Sequence, residues 1–251
     1  MTTATPRPTR REQRRAETVQ EIKARAMEQI SAGGPDAVSL ARIVRDMSMS
    51  PAAVYRYFDS RDALLGDLVV DAYNEFADFI VAAAPPDAPA GEQLTAVLTA
   101  ARTWALAHPN AYRLIFQTEV GSGQELEVER TKAAATRSMA AIITALAAVN
   151  AQATTRPASS GAILPPTFDA AINEWSQRSG LGAFSPHVLA LGLLSWTRLH
   201  GIISLELAGH LPATGLDPTV LYDAEVTAIT TAATSHGTHR AASKGRQAPP
   251  T

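Results

Sequence analysis

The sequence predicts an all-α protein, with a cluster of short helices at the N-terminal end and a longer helical bundle behind it. Three observations predict this. Apolar residues recur at i, i+3, i+4 and i+7 through most of the chain. No stretch alternates apolar and polar residues with a period of two over a useful length, so no sheet is expected. Gly33-Gly34-Pro35, Ser50-Pro51 and the run Ala84–Pro89 punctuate the periodic segments, and beyond them the chain is nearly all helix-forming Ala and Leu. With 251 residues, 46% hydrophobic and 18% charged, the chain can bury a sizeable core in one or two domains.

Residues 1–13 read as a basic disordered arm rich in Thr, Pro and Arg, with helical periodicity setting in from about Arg11. Val19, Ile22, Ala26, Met27 and Ile30 then share one face of a first helix that Gly33-Gly34-Pro35 ends. Ser39 can cap a second, short helix with Leu40, Ile43, Val44 and Met47 on its apolar face. A tight break at Ser48-Met49 follows. Ser50-Pro51 opens a third helix over Ala52–Phe58, with Val54 and Phe58 inward and Ala52, Ala53 and Arg56 outward. Asp59-Ser60 starts a fourth, whose face is Leu65, Leu68, Val69, Ala72, Tyr73 and Phe76. Further helices are expected over Gln93–Ala107, Ala111–Phe116, Glu125–Ala148, Asp169–Gln177, Pro186–Ala208 and Pro218–Ala233. Ala151–Pro166 reads as a polar loop, and the stretch from Ser235 to the end as a disordered tail. The domain reading is therefore a head over 14–66, a body over 67–234 and a tail over 235–251.

The net charge of −2 conceals an asymmetry. Residues 1–62 hold 11 of the 22 basic groups but only 8 of the 24 acidic ones, a balance of +3 against −5 for the rest. A basic head on an acidic body points to a polyanion partner at one end. Ser39–Phe58 supplies a matching layout: two short helices joined by a tight turn, in which the first braces and the second offers its leading end to a DNA major groove. Small residues at Ser50, Ala52 and Ala53 permit close approach, and alanine methyls can meet thymine methyls. Tyr55, Tyr57 and Arg61 offer donors to phosphate oxygens.

These residues resemble a known family. Ser39-Leu-Ala-Arg-Ile-Val, Met49-Ser50-Pro51-Ala-Ala-Val-Tyr55-Arg56-Tyr57-Phe58 and Ser60-Arg61-Asp62-Ala63-Leu64-Leu65 resemble the DNA-binding domain of TetR-type transcriptional regulators over about residues 14–66. The resemblance implies a three-helix DNA-binding head on an all-α ligand-binding and dimerisation body, working as a homodimer on a palindromic operator. By position it implies that Ser39 and Arg42 reach phosphates, that Ser50, Ala52, Ala53 and Arg56 face bases, and that Tyr55, Tyr57 and Arg61 clamp phosphates. The chain departs from the family in having Ser48 where Gly is usual, which implies a strained backbone there, Ala52-Ala53 where Gly-Thr is common, and Arg61 where Lys is usual. Trp196-x-x-x-His200-Gly201 and His108-Pro109-x-Ala-Tyr112-x-Leu-Ile-Phe116 resemble the Trp-His-Gly C-terminal domain of one branch of that family. The expected function is a ligand-responsive repressor, released from DNA by a small apolar or amphipathic effector. The competing reading is a helical small-molecule carrier or sensor in which the helix-turn-helix is only structural.

In the body, Trp104, His108, Tyr112, Phe116, Met139, Trp175, Trp196 and His200 are the candidates for an effector pocket, because apolar walls with a few polar groups hold small molecules between helices. Each taken singly also reads as ordinary core. Gly201 beside His200 suggests a close helix–helix approach suited to a dimer seam. The chain has no cysteine, which excludes a disulfide scaffold, a thiolate metal site and a cysteine nucleophile. There is no Gly-x-Ser-x-Gly elbow, phosphate loop or dinucleotide fingerprint, so no catalytic residue and no cofactor is expected. His236 and His239 lie in the tail, and Glu125, Glu127 and Glu129 alternate by two, so no metal site is expected. No uninterrupted apolar run approaches the roughly 18 residues of a membrane span, and the basic start is not followed by an apolar signal core. The expected setting is cytoplasmic, with no membrane partner.

Overall fold

The computed structural model describes residues 9–116, 125–152 and 165–234. Among these, every regular element is a helix: α1 Arg10–Gly33, a 3₁₀ turn Pro35–Ala37, α2 Leu40–Asp46, α3 Pro51–Tyr55, α4 Arg61–Ala82, α5 Ala90–Ala107, α6 Pro109–Phe116, α7 Glu125–Gln152, α8 Pro166–Ser179, α9 Pro186–Leu207, α10 His210–Ala213 and α11 Pro218–Ala233. The ends follow local chemistry. Ser39, Ser50, Ser185 and Asp217 each accept a backbone N–H of the helix they open, and Pro follows at the first helical position of α3, α9 and α11. Ser60 does the same for α4 by accepting from the Ala63 N–H at 3.0 Å.

Several boundaries differ from the sequence reading. Helix α1 is already helical at Arg10, so residues 10–13 are not a disordered arm. The reason is a reciprocal cap: the Thr9 hydroxyl accepts the Glu12 N–H while the Glu12 carboxylate accepts the Thr9 N–H. Helix α3 stops at Tyr55 instead of Phe58, and the Tyr57 N–H closes a turn onto the Val54 carbonyl at 2.9 Å. Prolines at 109 and 166 start α6 and α8 two or three residues early, and α7 runs on to Gln152. The loop expected over Ala151–Pro166 lies, over 153–164, outside the described residues, as do residues 1–8 and the tail from 235.

The chain divides into two compact units. The first comprises residues up to Phe79 together with Thr103–Ser138, and the second Ile80–Arg102 together with Met139 onward. The division falls inside α4, α5 and α7, not at the head–body boundary read near residue 66. In the first unit, Ile22, Ala26 and Ile30 of α1 are buried with Ile43 of α2, Val54 of α3, Phe58, and Leu64, Leu65, Leu68 and Val69 of α4. Lys23, one residue from Ile22, is also buried, and its ammonium pairs with Asp71 at 2.7 Å and Asp67 at 3.2 Å. Asp67 in turn pairs with Arg130 of α7 at 2.7 Å.

In the second unit, Leu94, Leu98, Ile143, Leu146, Leu189, Leu199, Ile203, Val226 and Ile229 form the core. Helices α7 and α9 approach closely at Gly192, where an added Cβ would lie 2.8 Å from Ile143 Cγ1. Gly201, on the same helix, has nothing of this chain within 4 Å of such a Cβ. Arg102 reaches Glu206 through two hydrogen bonds of 2.8 and 2.6 Å, donates to Thr219 at 3.1 Å, and lies 5.6 Å over the Tyr222 ring. Tyr222 is buried and donates to the Leu98 carbonyl at 2.6 Å. By length and composition, Glu129–Gln152 and Pro186–Leu207 could cross a membrane, which counting uninterrupted apolar residues did not reveal. One third of the first window and 39% of the second is buried inside the protein, and α9 places Arg198 and Glu206 in ion pairs.

Candidate nucleic-acid interface

The short helices α2 and α3 are fixed by their inner faces. Ile43 and Val54 are fully buried, and Phe58 closes the corner behind them. The Gln29 side-chain oxygen accepts the Ser39 N–H at 2.7 Å and ties the start of α2 to α1. Between α2 and α3, Ser48 has φ of +52°, the one non-glycine residue of positive φ among the described residues. This is the strained turn expected at that position, since a Cβ there crowds the following carbonyl.

With the inner face committed, the outer face carries most of the predicted set. Ser50 and Ala52 are exposed, Ala53 half-buried, Tyr55 50% exposed and Arg56 exposed. Ser39 and Ser50 each spend an oxygen on their helix start. Arg42 points outward and pairs loosely with Asp46 at 3.7 Å. Tyr57 is half-buried, and the Arg15 guanidinium lies 5.0 Å above its ring. The arrangement presents hydroxyls, methyls and a guanidinium on one rigid corner, which is the equipment for base-edge and phosphate contacts.

Arg61 parts company with this set. Its Nε donates to the Val38 carbonyl at 3.1 Å and one amino nitrogen donates to the Pro35 carbonyl at 2.8 Å, with Asp36 and Asp62 at 3.3 Å. Here it holds the loop between α1 and α2. Sequence spacing did not reveal this, because Pro35 and Val38 lie more than 20 residues away.

The eight pocket candidates fall into two groups. Trp104, His108, Tyr112 and Phe116 belong to the first unit. There they meet Tyr73 and Phe76 of α4: Phe76 lies 5.1 Å from Trp104 and 6.0 Å from Phe116, and Tyr73 lies 5.6 Å from Phe116, edge to face. Trp104 and Tyr112 are 0% and 2% exposed and pack as core, whereas His108 is exposed. Glu75 accepts from the Trp104 indole at 3.3 Å and stands 3.5 Å from His108 Nε2. Burial pushes the Tyr73 hydroxyl pKa up, and that hydroxyl donates to the Ile115 carbonyl at 3.0 Å. Glu75 was missed by the sequence reading, although Tyr73 and Phe76 stood on the apolar face assigned to α4. Met139, Trp175, Trp196 and His200 belong to the second unit and are all half-buried. Trp196 and His200 stack at 5.1 Å with an 11° interplanar angle, and burial lowers the His200 pKa.

A helical chain whose N-terminal corner is a helix-turn-helix of this kind has the architecture of a DNA-binding transcriptional regulator. Residues 22–68 match the family model described as bacterial regulatory proteins, tetR family, and residues 94–229 match the model described as tetracyclin repressor-like, C-terminal domain. The chain belongs to the TetR family of transcriptional regulators, whose members are not enzymes. It is 32% identical over 231 residues to the HTH-type transcriptional regulator Rv1816 of Mycobacterium tuberculosis, a match covering 89% of this chain and 97% of that one. The counterpart Mb1846 of Mycobacterium bovis matches to the same extent. The crystal structure of SCO4313, described as a regulatory protein, superposes with a TM-score of 0.70 at 36% identity, covering 90% of this chain and 98% of that chain. A TetR-family regulatory protein from Rhodococcus RHA1 shares the fold, with a TM-score of 0.59 at 19% identity over 88% and 99% of the two chains.

Proposed function

We propose that this regulator is a repressor that binds a palindromic operator as a homodimer and leaves it when a small apolar or amphipathic molecule occupies the body. The observation that carries the reading is the outer face of α3: Tyr55 and Arg56 stand exposed beside the buried Val54 and Phe58, with no ion pair to Arg56 among the described residues. In this reading Ser50, Ala52, Ala53 and Arg56 meet base edges, while Ser39, Arg42, Tyr55 and Tyr57 meet phosphates. Arg61 contributes by holding the loop ahead of α2. The dimer reading is supported by α9, where Gly201 is open and Leu205, one turn on, is 45% exposed. For release, the effector must favour a body conformation whose two heads no longer match major grooves one helical turn, about 34 Å, apart. The half-buried Trp196–His200 pair is the polar-edged aromatic group such a molecule would meet.

The test is selection of random duplex DNA on the purified protein, with the enriched sequences read for two-fold symmetry. An enriched palindrome, lost in an Arg56→Ala/Tyr57→Ala variant of unchanged circular dichroism, is the expected result. Failure to enrich any sequence at low salt would move the carrier reading to the front.

A further inference from the structure

We propose that the first three turns of α1, with Tyr57 after α3, form a preformed clamp for the sugar–phosphate backbone of duplex DNA beside the base-reading residues. The proposal rests on the reading of the head as an operator binder and adds a second, sequence-blind contact to it.

Helix α1 begins at Arg10, and its first buried residue is Ile22. At 1.5 Å per residue, about 18 Å of helix precedes the core. A free helix of that length is marginal in water, yet this one is held at two points. At its start, the Glu12 carboxylate accepts from the Thr9 N–H at 2.7 Å and the Thr9 hydroxyl at 2.9 Å, and the Thr9 oxygen accepts the Glu12 N–H at 3.3 Å. Further along, Arg15 rests on the Tyr57 ring.

The space so enclosed is a cleft of about 890 Å³ whose walls include Arg10, Arg11, Arg14, Arg15, Arg56 and Tyr57. The one carboxylate on its wall, Glu12, is committed to the helix start. Among the described residues none of the five guanidinium groups has a carboxylate partner. Guanidinium forks suit phosphate oxygens, and like charges gathered without partners favour an anion that engages several at once. A duplex presents one phosphate per strand every 3.4 Å along its axis, so the stretch from Arg10 to Arg15, about 7.5 Å of helix, faces about two on each strand. A free mononucleotide or phosphate would engage one or two arginines and leave the rest of the arm unused.

The experiment uses the full chain and two duplexes of equal length, one carrying an operator recovered by selection and one of random sequence. Dissociation constants are measured from 50 to 200 mM KCl for wild type and for an Arg10→Gln/Arg11→Gln/Arg14→Gln variant. Glutamine keeps helix propensity, and circular dichroism checks the fold. The slope of log affinity against log salt should shrink by about 2.7 for each head engaged, from three lost phosphate contacts. It should do so on both duplexes, leaving the preference for operator over random DNA unchanged. An unchanged slope, or a collapse of preference at constant slope, would overturn the clamp while leaving the operator reading standing. Wild type that binds neither duplex at 50 mM would remove both. Thr9→Ala should weaken binding to both duplexes by about fivefold at unchanged slope, because the uncapped arm frays; no loss would overturn its preformation.

Discussion

Replacing Glu206 by Leu should be among the most damaging single changes available in the second unit. Glu206 and Arg102 have side chains only 12% and 16% exposed and share two charge-assisted hydrogen bonds. Removing the carboxylate leaves a guanidinium in a largely dry site, with the Thr219 hydroxyl and the Tyr222 ring as its remaining neighbours. Breaking a fully buried pair from one side costs about 3–5 kcal/mol. The residual exposure and surviving contacts reduce the expectation to about 2–3 kcal/mol. Arg102→Met should cost about 2–3 kcal/mol as well, by stranding the carboxylate. The double variant should recover most of the loss and lie within about 1 kcal/mol of wild type, because an apolar pair of similar volume needs no compensating charge. The assay is urea unfolding of all four proteins at one protein concentration, followed by circular dichroism and closed as a double-mutant cycle. Raising salt to 0.5 M should barely change the coupling, since a buried pair is poorly screened. The reasoning is refuted if E206L lies within about 0.5 kcal/mol of wild type, or if the two single losses simply add in the double variant.

Two further outcomes follow from single residues. Ser48→Gly should stabilise the protein by about 0.5–1 kcal/mol, the relief of a Cβ at positive φ (about 1–2 kcal/mol) less the extra chain entropy of glycine; an unchanged or lowered thermal midpoint would contradict the strain at that turn. His200, its pKa lowered by burial, binds its proton less readily folded than unfolded. Its contribution is therefore present above the unfolded pKa of about 6.5 and is lost as pH falls from there toward the lower folded value. Stability measured between pH 7.5 and 5 should fall less steeply in His200→Gln than in wild type, and parallel curves would count against a buried neutral imidazole.

The legible parts of this protein are those governed by neighbours in the chain. Ser39, Ser50 and Ser60 cap the helices assigned to them because a hydroxyl reaches an N–H three residues on, an event contained in one turn. The break at Ser48 and the inward Val54 and Phe58 follow from spacing in the same way. The start of α1 is local too: Thr9 and Glu12 have the spacing of a reciprocal cap, and that cap outweighs the Pro- and Arg-rich composition around them.

The sequence by itself determined that the fold is all-α, where most of the described helices start and stop, and which corner carries a helix-turn-helix, because periodicity and capping act within a turn or two. Tertiary structure alone decided that Arg61 turns back to Pro35 and Val38, that Gly192 admits the neighbouring α7, and that the aromatic candidates divide between two units. It also decided that Arg102 finds Glu206 from 104 positions away. Such pairings depend on how whole helices pack, and in an Ala- and Leu-rich body many rotations of a helix offer the neighbour an equally apolar face. Only the set of large and charged side chains that must all be satisfied at once selects among them.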